Sequence, residues 1–145
     1  MKQVIKKAIF GVYLIGMILL LTVCNSQLDI QQNYKFTITS MPVQKSIAHS
    51  ETAEIRMKIN REGYFDETKF YIRYFQPDGD GELKLEDGTI LLPNDLYALQ
   101  KEEFRLYYTS NSTEQQKIDI YVEDNFGQIE HLTFSFNNRR VDKDE

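Results

Sequence analysis

Alternation of apolar and polar residues is the main pattern of this chain, and it is clearest between Lys117 and Phe136. Apolar residues occupy every second position on both sides of an interruption, Asp124–Gly127. A period of two is that of a half-buried strand, and Gly127 can supply the positive φ that a short hairpin loop needs. The stretch therefore predicts a β-hairpin with one dry face, whose inward residues are Ile118, Ile120, Val122, Leu132, Phe134 and Phe136.

Four further runs show the same alternation and also predict strands: Tyr34–Ser40, Ala53–Asn60, Lys69–Gln76 and Glu103–Thr109. A small extra hairpin, Glu82–Leu85 with Thr89–Leu92, is predicted around Asp87–Gly88, because this dipeptide favours tight hairpin turns. The stretch Asp95–Gln100 is ambiguous and fits a turn of helix, while Ser110–Gln116 has the composition of a polar loop. The prediction is thus six longer strands and one minor hairpin.

Regular turn signals between short strands are typical of a β-sandwich, and they predict an all-β, immunoglobulin-like fold. In such an order the strand Lys69–Gln76 shares one sheet with the hairpin, and the other three longer strands form the second sheet. The sequence has no cysteine pair and no tryptophan to pin the sheets together. The apolar core must therefore hold them, and a chain of this length can bury enough surface to do so.

The amino terminus predicts a lipoprotein signal segment at residues 1–23. Three lysines precede Ala8–Val23, an uncharged run of 16 residues, which is short for a helix that crosses about 30 Å of hydrocarbon. Cys24 follows directly and is the only cysteine. Its position resembles the bacterial lipoprotein signal, in which the cysteine is acylated, although Val23 stands where that signal usually has Gly, Ala or Ser. The alternative is an uncleaved anchor that ends in an unreactive cysteine.

Both alternatives leave the lysines in the cytoplasm and the remaining chain outside it, which predicts a membrane-attached protein of the cell envelope with its domain in the periplasm. Residues 24–33 are polar and lack periodicity, so they are predicted to be a tether. Residues 34–138 are predicted to form the β-sandwich domain, and residues 139–145 a charged tail.

Composition agrees with one globular domain, since 41% of the residues are hydrophobic and 12% aromatic. Residues 1–23 hold three lysines and no acid, so their removal changes the formal net charge from −5 to −8. Proteins that bind nucleic acid use Lys and Arg to displace counterions from phosphates. The acidic remainder therefore argues against direct binding of nucleic acid.

Candidate chemistry is sparse in this sequence. Asp78–Glu82 begins like a calcium-binding EF-hand loop, but Leu83 stands where that loop needs Gly and Thr89 where it needs a bidentate Glu. The two histidines, His49 and His131, are not spaced for zinc or for a catalytic triad. The sequence therefore predicts no enzyme, no cofactor and no metal.

Outward-facing aromatic and arginine side chains are the better candidates for function, because Tyr and Arg commonly anchor protein interfaces. The prediction is a partner-binding surface with members on both sheets. The alternative is cross-strand aromatic pairing that only stabilises the sheet. Tyr71, Phe75 and Tyr121 are predicted to lie on the sheet with the hairpin, and Arg56, Arg105 and Tyr107 on the other.

Four separated segments resemble the TraQ-type conjugal transfer proteins of Bacteroides-type conjugative transposons. They are Y-F-Q-P-D-G (74–79), L-P-N-D (92–95), F-R-L-Y-Y-T-S (104–110) and Y-V-E-D-N-F-G-Q (121–128). The similarity runs from about Leu28 to Asn138. It implies a small envelope lipoprotein with an immunoglobulin-like sandwich, encoded within a DNA-transfer operon.

The resemblance also implies an accessory of the mating machinery rather than an enzyme, with proteins of that machinery as partners. The leading hypothesis is therefore a non-catalytic interaction module that a lipid anchor holds at the membrane. A second hypothesis is a glycan-binding or adhesion lipoprotein, since β-sandwiches with exposed Tyr and Phe often bind sugars. A third, an enzyme, would require a metal site in the acidic turn Asp78–Asp87.

Overall fold

A computed structural model describes residues 33–140 and, at the amino terminus, Met1, Gln3, Ile5 and Lys6. The rest of the predicted signal segment, Cys24, the tether up to residue 32 and residues 141–145 lie outside the described residues. The chain divides into two compact units, Met1–Ile30 and Gln31–Glu145, and the strands described below all belong to the second. Within the described part of the chain, no helix is long and apolar enough to span a membrane.

Ten strands follow one another in the second unit. They are β1 (Phe36–Ser40), β2 (Ser46–Ile47), β3 (Thr52–Arg61), β4 (Phe70–Asp78), β5 (Gly81–Leu85), β6 (Ile90–Leu91), β7 (Tyr97–Leu99), β8 (Glu103–Ser110), β9 (Gln116–Asp124) and β10 (Ile129–Asn138). The six longer predicted strands correspond to β1, β3, β4, β8, β9 and β10, and the predicted minor hairpin to β5 and β6.

The strands form two five-stranded sheets, which confirms the predicted all-β sandwich. The first sheet has the order β1-β3-β8-β5-β6, and the second has the order β2-β10-β9-β4-β7. The predicted division of the longer strands between the sheets is correct: β4 lies with β9 and β10, and β1 and β3 lie with β8. All neighbours are antiparallel except β2 and β10, which are parallel.

The core lies between the sheets and is built from the alternate residues that the pattern predicted. Ile118, Ile120 and Val122 of β9 are fully buried, and Phe136 of β10 is almost so. Leu132 is half-buried and packs against the margin of the core. The predicted hairpin turn is also present, with φ of 87° at Gly127 and the backbone amides of Phe126 and Gln128 donating to the Asp124 carboxylate.

The ambiguous stretch Asp95–Gln100 contains strand β7 rather than a turn of helix. β7 pairs with the start of β4 at the edge of the second sheet. Tyr97 and Leu99 pack against the core while Ala98 between them is exposed, and this alternation requires an extended chain. The Tyr97 hydroxyl also accepts a hydrogen bond from the backbone N–H of Leu92 at 2.9 Å.

The predicted polar loop Ser110–Gln116 is wrong at both ends, because Ser110 ends β8 and Gln116 begins β9. Both residues are fully buried. The Tyr108 hydroxyl donates to Gln116 Oε1 at 2.7 Å, and Gln116 Nε2 donates to Ser110 Oγ at 2.8 Å. A hydrogen-bonded polar side chain can be buried at moderate cost, but a hydrophobic pattern cannot reveal it. Burial also raises the pKa of Tyr108 to about 12.

At the acidic turn Asp78–Gly81 the chain turns sharply from β4 in one sheet to β5 in the other. Gly79 has a φ of 77°, and a Cβ there would lie 2.4 Å from Gln116 Cγ. A Cβ on Gly81 would lie 2.4 Å from the Tyr108 hydroxyl. Glycine is therefore required at both positions for steric reasons, and the glycine-rich sequence needs no calcium ion to account for it.

Candidate interaction surface

The six predicted surface residues lie on two separate outer faces of the sandwich. Tyr71 and Phe75 on β4 and Tyr121 on β9 point out of the second sheet, because the residues that alternate with them are buried. Arg56, Arg105 and Tyr107 point out of the first sheet in the same way. The structure therefore brings the members of each trio onto one face but does not unite the two trios.

A row of aromatic rings crosses three strands on the outside of the second sheet. Tyr121 lies in register with Arg73 on one side and His131 on the other. Its ring is 5.5 Å from that of Phe75 in an edge-on arrangement, and 4.5 Å from the imidazole of His131, which is nearly parallel to it. Edge-on and stacked contacts of this kind are the arrangements that aromatic pairs prefer, and they stabilise these ring positions.

Exposed apolar side chains extend this row. Phe75 is 38% exposed and Ile129 is 53% exposed. Ile129 and Tyr71 lie in register on either side of Glu123. Leu96 lies directly before β7 and is 48% exposed; it is two residues from the outward Ala98, so the alternation of β7, continued by one residue, places it on the same side. We call these side chains the aromatic face: Tyr71, Phe75, Leu96, Tyr121, Ile129 and His131.

Charged groups beside the aromatic face are compensated locally. Arg73 and Glu123, on neighbouring strands, form an ion pair. Asp119 accepts a hydrogen bond from Thr133 Oγ1 at 2.6 Å and lies 3.4 Å from His131 Nε2. Burial by itself would raise the pKa of Asp119, but the hydrogen bonds from Thr133 and His131 and the charge of Lys117 hold that pKa below its usual value. The charges of Arg73 and Glu123 therefore offset each other, and the Asp119 carboxylate is hydrogen-bonded.

The cluster of Asp119, His131 and Thr133 contains the residue types of a catalytic triad but not its geometry. In a triad the histidine uses one ring nitrogen for the acid and the other for the nucleophile. His131 Nε2 is 3.2 Å from Thr133 Oγ1 and also faces Asp119, and Thr133 is hydrogen-bonded to Asp119 directly. The arrangement gives no relay through the imidazole, so it favours a structural role for these three groups.

The outer face of the first sheet, which we call the charged face, has a different character. Arg56 and Arg105 lie directly opposite each other on β3 and β8, and both approach Glu54 Oε1, at 3.1 and 3.2 Å. The hydrogen bond from Arg56 lowers the pKa of Glu54 below its usual value. Tyr107 lies in register between Glu54 and Lys84. The pair Arg56–Glu54 lies within β3 and the pair Arg105–Glu54 crosses to β8, and such solvated ion pairs contribute little net stability.

Sequence reasoning missed His131, Ile129 and Leu96 as members of the aromatic face. Ile129 and His131 follow from the hairpin itself: once Asp124–Gly127 is taken as the turn, Tyr121 and His131 must pair across it. Leu96 had no comparable signal, because its place depends on the pairing of β7 with β4.

The part of the chain that the structure describes offers no candidate metal site. Among the residues that the structure describes, no group of three or more His, Cys, Asp or Glu side chains is placed to hold a metal ion.

Comparison with known proteins gives a consistent answer. The family model of the TraQ conjugal transfer protein matches residues 7–139, which is nearly the whole chain. This chain belongs to the TraQ conjugal transfer protein family. Its role is therefore connected with conjugation, and the segments that suggested the resemblance all lie inside the matched range. No curated protein sequence matches this TraQ-family chain significantly.

Solved structures from three Bacteroides species resemble this TraQ-family protein in sequence and fold. A conjugative transposon lipoprotein from Bacteroides eggerthii is 45% identical, with a TM-score of 0.69, over 73% of this chain and 100% of that one. A lipoprotein from Bacteroides thetaiotaomicron is 60% identical, with a TM-score of 0.68, over 83% and 93% of the two chains. A conjugate transposon protein from Bacteroides vulgatus is 52% identical, with a TM-score of 0.65, over 83% and 97%.

Proposed function

We propose that this TraQ-family protein is a non-catalytic accessory of the conjugative transfer apparatus, and that it binds a protein of that apparatus through the aromatic face. Membership of the family supports the connection with conjugation. The observation that carries the choice of surface is the ordered row Phe75, Tyr121 and His131 across three adjacent strands. Rings already held in place lose little conformational freedom when a partner covers them, and interface hot spots are enriched in such residues.

The local pairing of polar groups supports the same choice. A charge that becomes buried in an interface must be desolvated, which is costly unless it is paired. On the aromatic face Arg73 is already paired with Glu123, and the Asp119 carboxylate accepts a hydrogen bond from Thr133. A partner can therefore cover this face without stripping water from an isolated charge.

The geometry favours a protein over a sugar as the partner. A sugar ring stacks on the open face of an aromatic side chain, whereas His131 covers one face of the Tyr121 ring and Phe75 lies on the side towards β4. The glycan-binding alternative therefore has weaker support than an interface with side chains that pack between and around these rings.

Attachment to the cell envelope through an acylated Cys24 is part of the proposal. Two of the similar solved proteins are described as lipoproteins, and Cys24 follows the apolar run directly. Metabolic labelling with a fatty acid tests this attachment, with Cys24→Ala as the control. We expect label on the wild-type protein only; label on Cys24→Ala, or none on either protein, would contradict lipidation at this residue.

Crosslinked pull-down of the full chain from a mating culture tests the proposed surface. The test variant carries Tyr71→Ala, Phe75→Ala and Tyr121→Ala together. The matched control carries Arg56→Ala, Arg105→Ala and Tyr107→Ala, which removes a trio from the charged face. We expect the first variant to lose a transfer protein that wild type and control both retain.

Two results would contradict the proposal. If the aromatic variant retains every crosslinked transfer protein, the surface is wrong. If deletion of the gene leaves the frequency of transposon transfer unchanged, the accessory role is wrong.

A further inference from the structure

One of the four sheet edges differs from the others in length and composition. The outermost strands β2, β6 and β7 are only two or three residues long, and β10, of which β2 covers only Asn137 and Asn138, has Glu130 and His131 in its uncovered part. β1 has five residues, F-T-I-T-S, none of which is charged, and its register with β3 has no bulge. Short strands, charges and bulges are the usual features that prevent an edge from pairing with another chain. β1 has none of these features.

The backbone groups that β1 presents outward can be identified from its pairing with β3. The N–H of Met41 donates to Arg56 and the N–H of Glu62 donates to the carbonyl of Lys35. In an antiparallel ladder the hydrogen-bonded residues alternate, so the odd positions of β1 face β3 and the even positions face away from it. Among the described residues, the N–H and C=O groups of Phe36, Ile38 and Ser40 have no hydrogen-bond partner.

We propose that β1 pairs with β1 of a second copy of this chain, antiparallel and centred on Ile38, to join the two first sheets into one. This register places Ile38 opposite Ile38 and Phe36 opposite Ser40. Even positions then face even positions, so every outward N–H and C=O of the strand meets a partner group from the second copy.

The sequence around Ile38 is what selects a second copy as the occupant. Thr37 and Thr39 flank it symmetrically, so a two-fold axis through Ile38 places threonine opposite threonine on the outer face. Threonine pairs are favourable neighbours across strands. The chain as a whole is acidic, but no carboxylate lies on β1, and Lys35 would face Met41 in this register.

Sedimentation equilibrium of the full chain in density-matched detergent micelles tests this pairing with two variants altered at the same positions. Thr37→Lys with Thr39→Lys places lysine opposite lysine across the axis. Thr37→Lys with Thr39→Glu places lysine opposite glutamate. Both positions are exposed, so both variants should fold, and circular dichroism checks this.

Wild type and the lysine–glutamate variant are expected to form dimers. The dissociation constant of the lysine–lysine variant should be at least about tenfold higher, since two like-charged pairs replace two favourable ones. Mixing the lysine–lysine variant with one that carries glutamate at both positions should restore dimers. A monomeric wild type, equal dissociation constants for the variants, or failure of the mixture to associate would overturn the proposal.

Discussion

The two outer faces belong to the same sandwich, but their outward side chains make different kinds of contact. On the charged face, Arg56 and Arg105 stand opposite each other and depend on one shared carboxylate, that of Glu54. On the aromatic face, Tyr121 is held between Phe75 and His131 by ring contacts. The first arrangement suits contact with water and ions, and the second suits contact with another surface.

The difference shows that exposure of aromatic or arginine side chains does not by itself identify a binding face. Both faces carry tyrosine and arginine at outward positions, and the sequence pattern treats them alike. What separates them is whether the outward side chains contact each other through aromatic rings or through ion pairs, because contacts between rings cost less to desolvate. Only the register between strands reveals this property.

The largest expected effect is on DNA transfer. In a strain that lacks the gene, expression of the variant with Tyr71→Ala, Phe75→Ala and Tyr121→Ala should restore transfer poorly. Loss of a single aromatic hot spot of about 2 kcal/mol already weakens binding about 30-fold. The charged-face variant with Arg56→Ala, Arg105→Ala and Tyr107→Ala should restore transfer fully. Equal transfer frequencies for the two variants, at equal protein levels, would abolish the distinction between the faces.

A smaller effect is expected on the stability of the domain. Tyr121→Ala removes ring contacts with both Phe75 and His131, so the free energy of unfolding should fall by about 1–2 kcal/mol. Tyr107 on the charged face stacks on no aromatic ring among the residues that the structure describes, so Tyr107→Ala should change the free energy of unfolding by less than about 0.5 kcal/mol. Urea denaturation followed by circular dichroism measures both.

The same pair of variants separates binding from cross-strand stabilisation. If Tyr121→Ala lowers stability but transfer continues as in wild type, the aromatic row serves only to stabilise the sheet. If Tyr121→Ala and Tyr107→Ala are equally stable, the ring contacts seen around Tyr121 do not contribute to folding.

Acid titration should give an effect below about 1 kcal/mol. The pKa of Asp119 is lower in the folded protein than its usual value, so the unfolded chain binds more protons between the two values. The stability that Asp119 contributes is therefore present above about pH 4 and is lost as the pH falls through the lowered value. Unfolding free energies of Asp119→Asn and wild type should converge at low pH; a difference that is independent of pH would contradict this.

The smallest effect is expected for Glu54→Gln on the charged face. Without this carboxylate, Arg56 and Arg105 remain opposite each other with like charge, which is unfavourable across a strand pair. The urea midpoint should therefore fall slightly at low salt and less at high salt, because ions screen the repulsion. The matched measurement on Tyr121→Ala should show no such salt dependence, since ring contacts carry no net charge.

Much of the fold follows from the sequence because the core residues alternate in long strands. Ile118, Ile120 and Val122 predict both the strand and its buried side. β2 has only two residues, too few to show a period, and β7 has only three. The polar sequence around Gln116 predicts a loop, because the burial of Gln116 depends on Tyr108 and Ser110, which lie on a different strand. Contacts between residues that are distant in the sequence cannot be predicted from the local pattern of hydrophobicity.

Part of the aromatic face can be predicted from the sequence for the same reason. Tyr71, Phe75 and Tyr121 follow from parity along β4 and β9, and their shared sheet follows from the sandwich order. The contact of Tyr121 with His131 requires the register of the hairpin, and Leu96 requires a strand that the sequence did not reveal. Whether the face binds a partner is a property of the pair of molecules, so it stays a prediction until transfer is measured.

The parallel pairing of β2 with β10 sets a limit on the order of folding. Ser46 near the start of the domain pairs with Asn137 near its end, and the N–H of Arg139 donates to Ile47. The chain is synthesised from its amino terminus, so almost the whole domain must be made before β10, the partner of β2, is present. Closing so long a loop is slow, and until then β2 lacks the strand with which it pairs. A nascent chain stalled before β10 should therefore be an open, protease-sensitive intermediate.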